Sequence, residues 1–215
     1  MGGGQNQKAR PGAKSESGSG VPKNWPPGIV YLHEPCYSKL LHHDATAAVL
    51  FPRSDLASTE QPRKIKGPCP VVRITPISVS SHPANGQYGL FASQRLPPDS
   101  FILPYIGYVH GPADLDDSSD YDLSLDRELG IGVDASKMGN EARFVNDYRG
   151  VAAAPNAEFR HIFVDVGKGR VEKRMGVFVL SAGKSGKRAK GIERGSEILV
   201  SYGKGFWTER SGPDS

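Results

Sequence analysis

From residue 71 onward the chain reads as seven short apolar segments in a stretch punctuated by Gly, Pro and Asp: Val71–Pro76, Tyr88–Ala92, Ser100–Val109, Gly130–Ala135, Glu158–Val166, Arg174–Ala182 and Glu197–Tyr202. Segments this short, bounded by turn residues, are the pattern of an all-β domain. The 26 Gly and 17 Pro among 215 residues agree, because they interrupt helices and supply turns. Within Glu158–Val166 both alternating sets turn apolar near the middle, which predicts a central strand. Only Met138–Val145 reads as helical, and it is short. Periodicity gives a mostly-β domain and no function.

The first third has a different texture. Residues 1–70 hold 9 Lys/Arg against 5 Asp/Glu, whereas residues 71–215 are balanced at 18 of each, so the net charge of +4 belongs to the first third. Residues 1–27 are expected to be a disordered basic arm, too poor in apolar side chains to offset chain entropy. Residues 28–70 form a flanking segment in which 29–32 and 45–51 can pack as short elements on the main domain. Residues 71–207 make the domain itself, and 208–215 a tail. No apolar run approaches the ~20 residues of a bilayer span, and the N-terminus has no apolar stretch of a secretory signal. With two cysteines, Cys36 and Cys69, the chain cannot build a four-cysteine zinc site, and a reducing compartment is the default.

Three motifs fail on inspection. Gly183-Lys184-Ser185 has the tail of a phosphate-binding loop, but the Gly required five residues earlier is Phe178. The same stretch reads as a GxxG nucleic-acid loop, but strands rather than helices flank it. His42-His43-Asp44 lacks a second ligand pair at zinc spacing, and adjacent side chains on a strand point apart, so no metal is expected.

One spaced series survives. It comprises Gln87-Tyr88-Gly89-Leu90-Phe91-Ala92, Tyr105-Ile106-Gly107, Asp134-Ala135, Gly139-Asn140-Glu141-Ala142-Arg143-Phe144-Val145-Asn146, Pro155-Asn156 and Gly195-Ser196-Glu197-Ile198-Leu199-Val200-Ser201-Tyr202-Gly203. In order, spacing and content this resembles the SET domain of protein-lysine methyltransferases, over roughly residues 71–207. The resemblance implies a mostly-β SET (β-clip) fold of short sheets with a threaded C-terminal segment and few short helices. It also implies an S-adenosylmethionine-dependent protein-lysine N-methyltransferase, with cofactor on one face and the substrate lysine entering from the other through a narrow channel.

Site roles follow from the same resemblance. Backbone at Tyr88 and Gly89 would approach the cofactor, where a side chain on Gly89 would intrude. Asn146 would contact the cofactor through its amide and Asp147 through its backbone, with Arg143 and Phe144 bracing and walling the pocket. Tyr202 is the first choice for the catalytic hydroxyl, and Tyr105 should line the same channel. A lysine, with a free pKa of about 10.4, must arrive neutral, and desolvation beside a sulfonium lowers that pKa without a dedicated base. Phe159 and Val200 are the candidate gates of the channel, and neither has a hydroxyl to hold a water, which predicts di- or trimethylation.

The chain also departs from the pattern. Gln87 stands where the first Gly is usual, Asp147 replaces the usual His, and Ser201 replaces the Asp before the tyrosine. If the family's His acts through its backbone, Asp147→His should be tolerated. No cysteine-rich flanks are present, which leaves Phe206 and Trp207 to close the channel and cover the adenine.

Seven acids lie between Asp114 and Glu128, an acidic rim suited to a Lys/Arg-rich peptide. Lys184, Lys187, Arg188, Lys190 and Arg194 form a basic loop before the last strand. Histone H3 or H4 is therefore the leading substrate class, with nucleosomal DNA contact through the basic arm or loop and a nuclear location, the cytoplasm being the alternative. Neither a membrane nor zinc is expected. Two other readings stay open: a catalytically weak SET module that binds peptide or chromatin, and a basic nucleic-acid-binding β-protein, which would lack the usual stacking platform.

Overall fold

The computed structural model describes residues 20–184, 186 and 188–203. Phe206, Trp207 and Lys187, and with them the expected tail, lie outside the described residues.

Fourteen short strands and one short α-helix carry the described chain. In order they are β1 Val30–Tyr31, β2 Cys36–Tyr37, α1 His43–Val49, β3 Leu50–Pro52, β4 Val72–Pro76, β5 Tyr88–Ala92, β6 Phe101–Tyr105 and β7 Tyr108–His110. There follow β8 Asp122–Asp126, β9 Ile131–Asp134, β10 Met138–Gly139, β11 Asn146–Asp147, β12 Ala157–Gly167, β13 Arg170–Val179 and β14 Leu199–Val200. Four strands lie in the order β2-β7-β9-β8, and β12-β13-β3 form a second sheet in which β6 also pairs with β13. Three two-stranded sheets, β4-β5, β1-β10 and β11-β14, complete the fold.

Several readings need correction. The central strand is β13, which pairs with β12, β3 and β6; β12 carries only a short bridge at Arg63 on its other edge. The apolar character of β12 comes from packing of Ile162 and Val164 on Phe178, not from strands on both sides. The segment 100–109 breaks into β6 and β7, with Gly107 so close to the carbonyl of Asp134 that a Cβ there would overlap it. Met138–Val145 is β10 followed by a single 3₁₀ turn, Glu141–Phe144. The α-helix lies instead at His43–Val49, where the Nδ1 atom of His42 accepts from the Asp44 N–H and caps it, so His42-His43-Asp44 begins a helix and not a strand.

Residues 1–19 of the expected arm lie outside the described residues, and Trp25, within that arm, is packed. Trp25 packs edge-on to Tyr31 and Phe144, at centroid distances of 5.0 and 5.6 Å, and donates its indole N–H to the carbonyl of Ile29. The flanking segment 28–70 supplies β1, β2 and β3 to three separate sheets. The acidic stretch contains a strand: Asp122, Ser124 and Asp126 alternate with Leu123 and Leu125, and Leu125 is buried.

The motif residues knit these sheets together. Asn140 accepts from the Ile106 N–H and donates to the carbonyl of Pro104, fixing the turn between β6 and β7. Asn156 donates to the carbonyl of Glu197 and accepts from the Leu199 N–H, holding β14 in place. Both amides replace missing backbone partners, and at buried Asn140 an unpaired polar group would cost about 1–3 kcal/mol.

Candidate active site

Two cavities meet where β11 and β14 run side by side. The larger, about 620 Å³, is walled by His82, Tyr88, Phe144, Asn146, Asp147 and Arg149. The smaller, about 80 Å³, is walled by Tyr105, Asp122, Leu123, Val145 and Phe159. Asp120, Tyr121, Arg143 and Tyr202 line both.

Tyr202 is held at two points. Its phenol donates to the carbonyl of Val145 at 2.7 Å, and its backbone N–H donates to Oδ2 of Asp147 at 2.7 Å. Burial, reinforced by the nearby Asp147 charge, pushes the phenol well above the usual tyrosine range. Tyr105 is buried, donates to the carbonyl of Tyr121 at 2.6 Å and packs edge-on to Phe159 at 5.8 Å. Burial raises its pKa strongly too. Neither phenol is therefore a base near neutrality.

Arg143 is a structural brace with one face on both cavities. Its Nε atom donates to the carbonyl of Ala135 and Nη2 to that of Ser136, while its guanidinium stacks 4.4 Å from the Tyr121 ring centroid and 5.0 Å from that of Phe144. Phe144 packs on Trp25 and Tyr88 and completes that wall.

Asn146 belongs to a buried polar group that the sequence does not announce. Its Nδ2 atom donates to Oε1 of Glu197 at 2.8 Å and, more weakly, to the carbonyl of Tyr88. The other carboxylate oxygen of Glu197 lies 3.1 Å from Nε2 of His82, with both side chains about 9% exposed. The Nδ1 atom of His82 accepts from the Ala84 N–H, which places the ring proton on Nε2, facing Glu197. His82 comes from the loop before Gln87, five residues outside the motif, so spacing alone gives no hint of it.

Three expected site residues are placed differently. Gly89 does not line either cavity; a Cβ there would stand 2.5 Å from Oε1 of Glu197, so this glycine makes room for that carboxylate. Val200 is fully buried and lines neither cavity, because its side chain packs into the core, whereas Phe159 does reach the smaller one. The Asp147 side chain is engaged by Tyr202 and Arg149, which removes the ground for expecting a harmless exchange to His. Tyr121, a residue the sequence reading passed over among the acids around it, joins the two cavities; its alternation with Leu123 and Leu125 was the available signal. Arg188 of the basic loop folds back to donate to the carbonyl of Ser181.

Comparison with known proteins agrees with this architecture. The SET domain family matches residues 87–203, more than half of the chain, and the chain belongs to that family. Among solved structures it is similar to a chain of the polycomb repressive complex 2 of Chaetomium thermophilum, at 24% identity over 64% of this chain and 16% of that one, with a TM-score of 0.45. It is also similar to ctPRC2 in an autoinhibited conformation bound to S-adenosylmethionine, at 22% identity over 68% and 17% of the two chains and a TM-score of 0.47. A third is KRYPTONITE in complex with mCHH DNA, an H3(1–15) peptide and SAH, at 20% identity over 68% and 25% and a TM-score of 0.43. The chain spans no more than a quarter of the length of these three. No curated protein sequence matches it. Among the described residues no helix is long and apolar enough to cross a membrane, and no three His, Cys, Asp or Glu are grouped to hold a metal ion.

Proposed function

We propose that the protein is an S-adenosylmethionine-dependent protein-lysine N-methyltransferase, acting on lysine in a basic segment such as a histone tail and therefore in the nucleus. The observation that carries this reading is the pair of unequal cavities sharing Tyr202, Tyr121, Arg143 and Asp120. The larger has the volume of a cofactor site, which runs roughly 300–1,000 Å³. The smaller suits a slender side chain.

The wall of the larger cavity fits the cofactor's chemistry. Arg143 is a cation for a carboxylate, and Pro26, Ile29 and Val151 offer apolar surface for a base. Asn146 keeps its amide carbonyl for a ligand while Glu197 holds its nitrogen. When bound, the cofactor supplies an electrophilic methyl on a sulfonium.

The chain's own residues do the rest. The acidic stretch from Asp114 to Glu128 draws a cationic lysine toward the smaller cavity. Leu123, Val145 and the rings of Tyr105 and Phe159 then desolvate the ammonium and lower its pKa, so that it gives its proton to solvent and the neutral amine forms without a dedicated base. The Tyr202 phenol has its proton committed to Val145, so its oxygen meets a neighbouring positive charge with lone pairs. Such preorganised dipoles favour a cationic transfer state without reorganising. Seven acids between Asp114 and Glu128 support a Lys/Arg-rich peptide as substrate.

Titration calorimetry with S-adenosylmethionine tests the reading. Saturable one-to-one binding that is weakened in Asn146→Ala is expected; an absence of binding by the folded chain overturns it.

A further inference from the structure

The short parallel pair β11-β14 ends abruptly beside the catalytic centre. Asn146 stands opposite Leu199 and Asp147 opposite Val200, and the Tyr148 N–H closes the ladder on the carbonyl of Val200 at 3.0 Å. In a continuing parallel ladder the next donor, the Tyr202 N–H, would bond to the carbonyl of Tyr148. That carbonyl is already taken by the Val151 and Ala152 N–H groups at 3.0 and 2.8 Å, because the chain turns back on itself there. The Asp147 carboxylate stands in for it: Oδ2 accepts from the Tyr202 N–H at 2.7 Å.

We propose that Asp147 is a positioning residue for Tyr202, its carboxylate substituting for the backbone acceptor that the β11-β14 ladder cannot supply. The inference rests on the methyltransferase reading for the role of Tyr202 and adds a residue that acts through it. Val145 and Asp147, either side of Asn146, grip Tyr202 from both ends, one by the phenol and the other by the backbone. A pivot at only one end would leave the phenol oxygen to swing with the chain. Two holds fix it relative to Asn146, and hence relative to both cavities.

The charge matters as well as the acceptor. Oδ1 of Asp147 accepts from the Arg149 N–H at 2.8 Å, and Oδ2 also pairs with Nη1 of Arg149 at 2.8 Å. The carboxylate is only 5% exposed, so the guanidinium offsets a charge that would otherwise be costly to bury. A charged acceptor makes the bond to the Tyr202 N–H stronger than a neutral one would. Histidine, the residue the resemblance leads one to expect here, offers a single acceptor nitrogen. It cannot serve the Tyr202 N–H, the Arg149 N–H and the Arg149 guanidinium together. The Asp147–Arg149 combination is thus a distinct solution to holding the tyrosine.

Two measurements on the full chain test this. Amide hydrogen exchange followed by NMR compares Tyr202 with Val200 in the wild type, Asp147→Ala and Asp147→Asn. Exchange at Tyr202 should quicken about 10- to 100-fold in Asp147→Ala, the equivalent of one charge-assisted hydrogen bond, with Val200 little changed. Asp147→Asn, which keeps an acceptor oxygen, should recover most of the protection. Steady-state methyl transfer and calorimetry should then show kcat falling about tenfold more than S-adenosylmethionine affinity in Asp147→Ala, with Asp147→Asn in between. Unchanged exchange at Tyr202, or a loss of cofactor affinity that accounts for the whole fall in turnover, overturns the proposal. A wild type that binds neither cofactor nor substrate strikes at the functional reading instead, and the exchange comparison still decides whether Asp147 holds Tyr202.

Discussion

The phenol of Tyr105, at the end of β6, donates to the carbonyl of Tyr121, the residue that leads into β8. That bond ties the central sheet to the acidic strand and sets one wall of the smaller cavity. Tyr105→Phe removes one of the two donors to the Tyr121 carbonyl, which keeps the Ala135 N–H, so it should lower stability by about 0.5–1.5 kcal/mol. The KM for a lysine peptide should rise while cofactor affinity holds, because Tyr105 lines only the smaller cavity. Chemical denaturation and peptide kinetics check it; an unaltered KM would remove Tyr105 from the channel.

Asn146 and Glu197 make a separate prediction. Asn146→Ala removes a donor from a carboxylate that is about 9% exposed and should weaken S-adenosylmethionine binding by about 1–3 kcal/mol. His82→Ala should weaken it in the same direction, by loosening Glu197 and through it Asn146. Calorimetry on both variants decides this, and wild-type affinity in His82→Ala would show that Asn146 needs no such support.

The fold class was readable because turn residues cut the chain at strand length, and β5, for example, falls where its apolar run does. The partners of the motif asparagines were not, since hydrogen bonds across 30 to 50 residues leave no local periodicity. The same holds for Gly89. Its place in the motif series gives no sign of Glu197, 108 residues further along, whose carboxylate it makes room for. Tyr202, Asn146 and Phe159 could be picked out from the motif series, and all three line the cavities. That Val200 faces the core was not legible, because its direction at the end of β14 depends on where the ladder with β11 stops. Tyr121 was hidden by the charge around it.

Stability should depend on pH through His110. Its Nδ1 atom faces the carbonyl of Gly111 at 3.1 Å and Nε2 faces Asp122 at 3.0 Å, so both nitrogens donate and the ring is cationic. The Asp122 hydrogen bond raises its pKa to about 8 against the opposing effect of burial. The folded value lies above the ordinary 6.5, so this contribution is complete below about pH 6.5 and is lost as pH rises through about 8. It amounts to about 2 kcal/mol. Denaturation from pH 6 to 9 should show that loss in the wild type and a flatter curve in Asp122→Asn, estimated on the same linkage argument. Parallel curves for the two proteins would contradict it.

Product degree turns on Phe159, now the one gate candidate on the cavity wall. With no hydroxyl at that ring to retain a water, the proposed activity should carry a good peptide to di- or trimethyl-lysine. Phe159→Tyr should shift the products toward monomethyl-lysine. Mass spectrometry under excess cofactor reads this directly, and a wild-type plateau at one methyl rejects it.

The central claim is tested most directly by transfer of a tritiated methyl from S-adenosylmethionine to histone and lysate panels, run with the wild type and Tyr202→Phe. The wild type should label lysine in at least one protein. Tyr202→Phe should bind the cofactor normally yet lose roughly 2.7–4 kcal/mol of transition-state stabilisation, about 10²–10³ in rate. Near-normal labelling by Tyr202→Phe, or none by a wild type that binds the cofactor across both panels, would contradict the account.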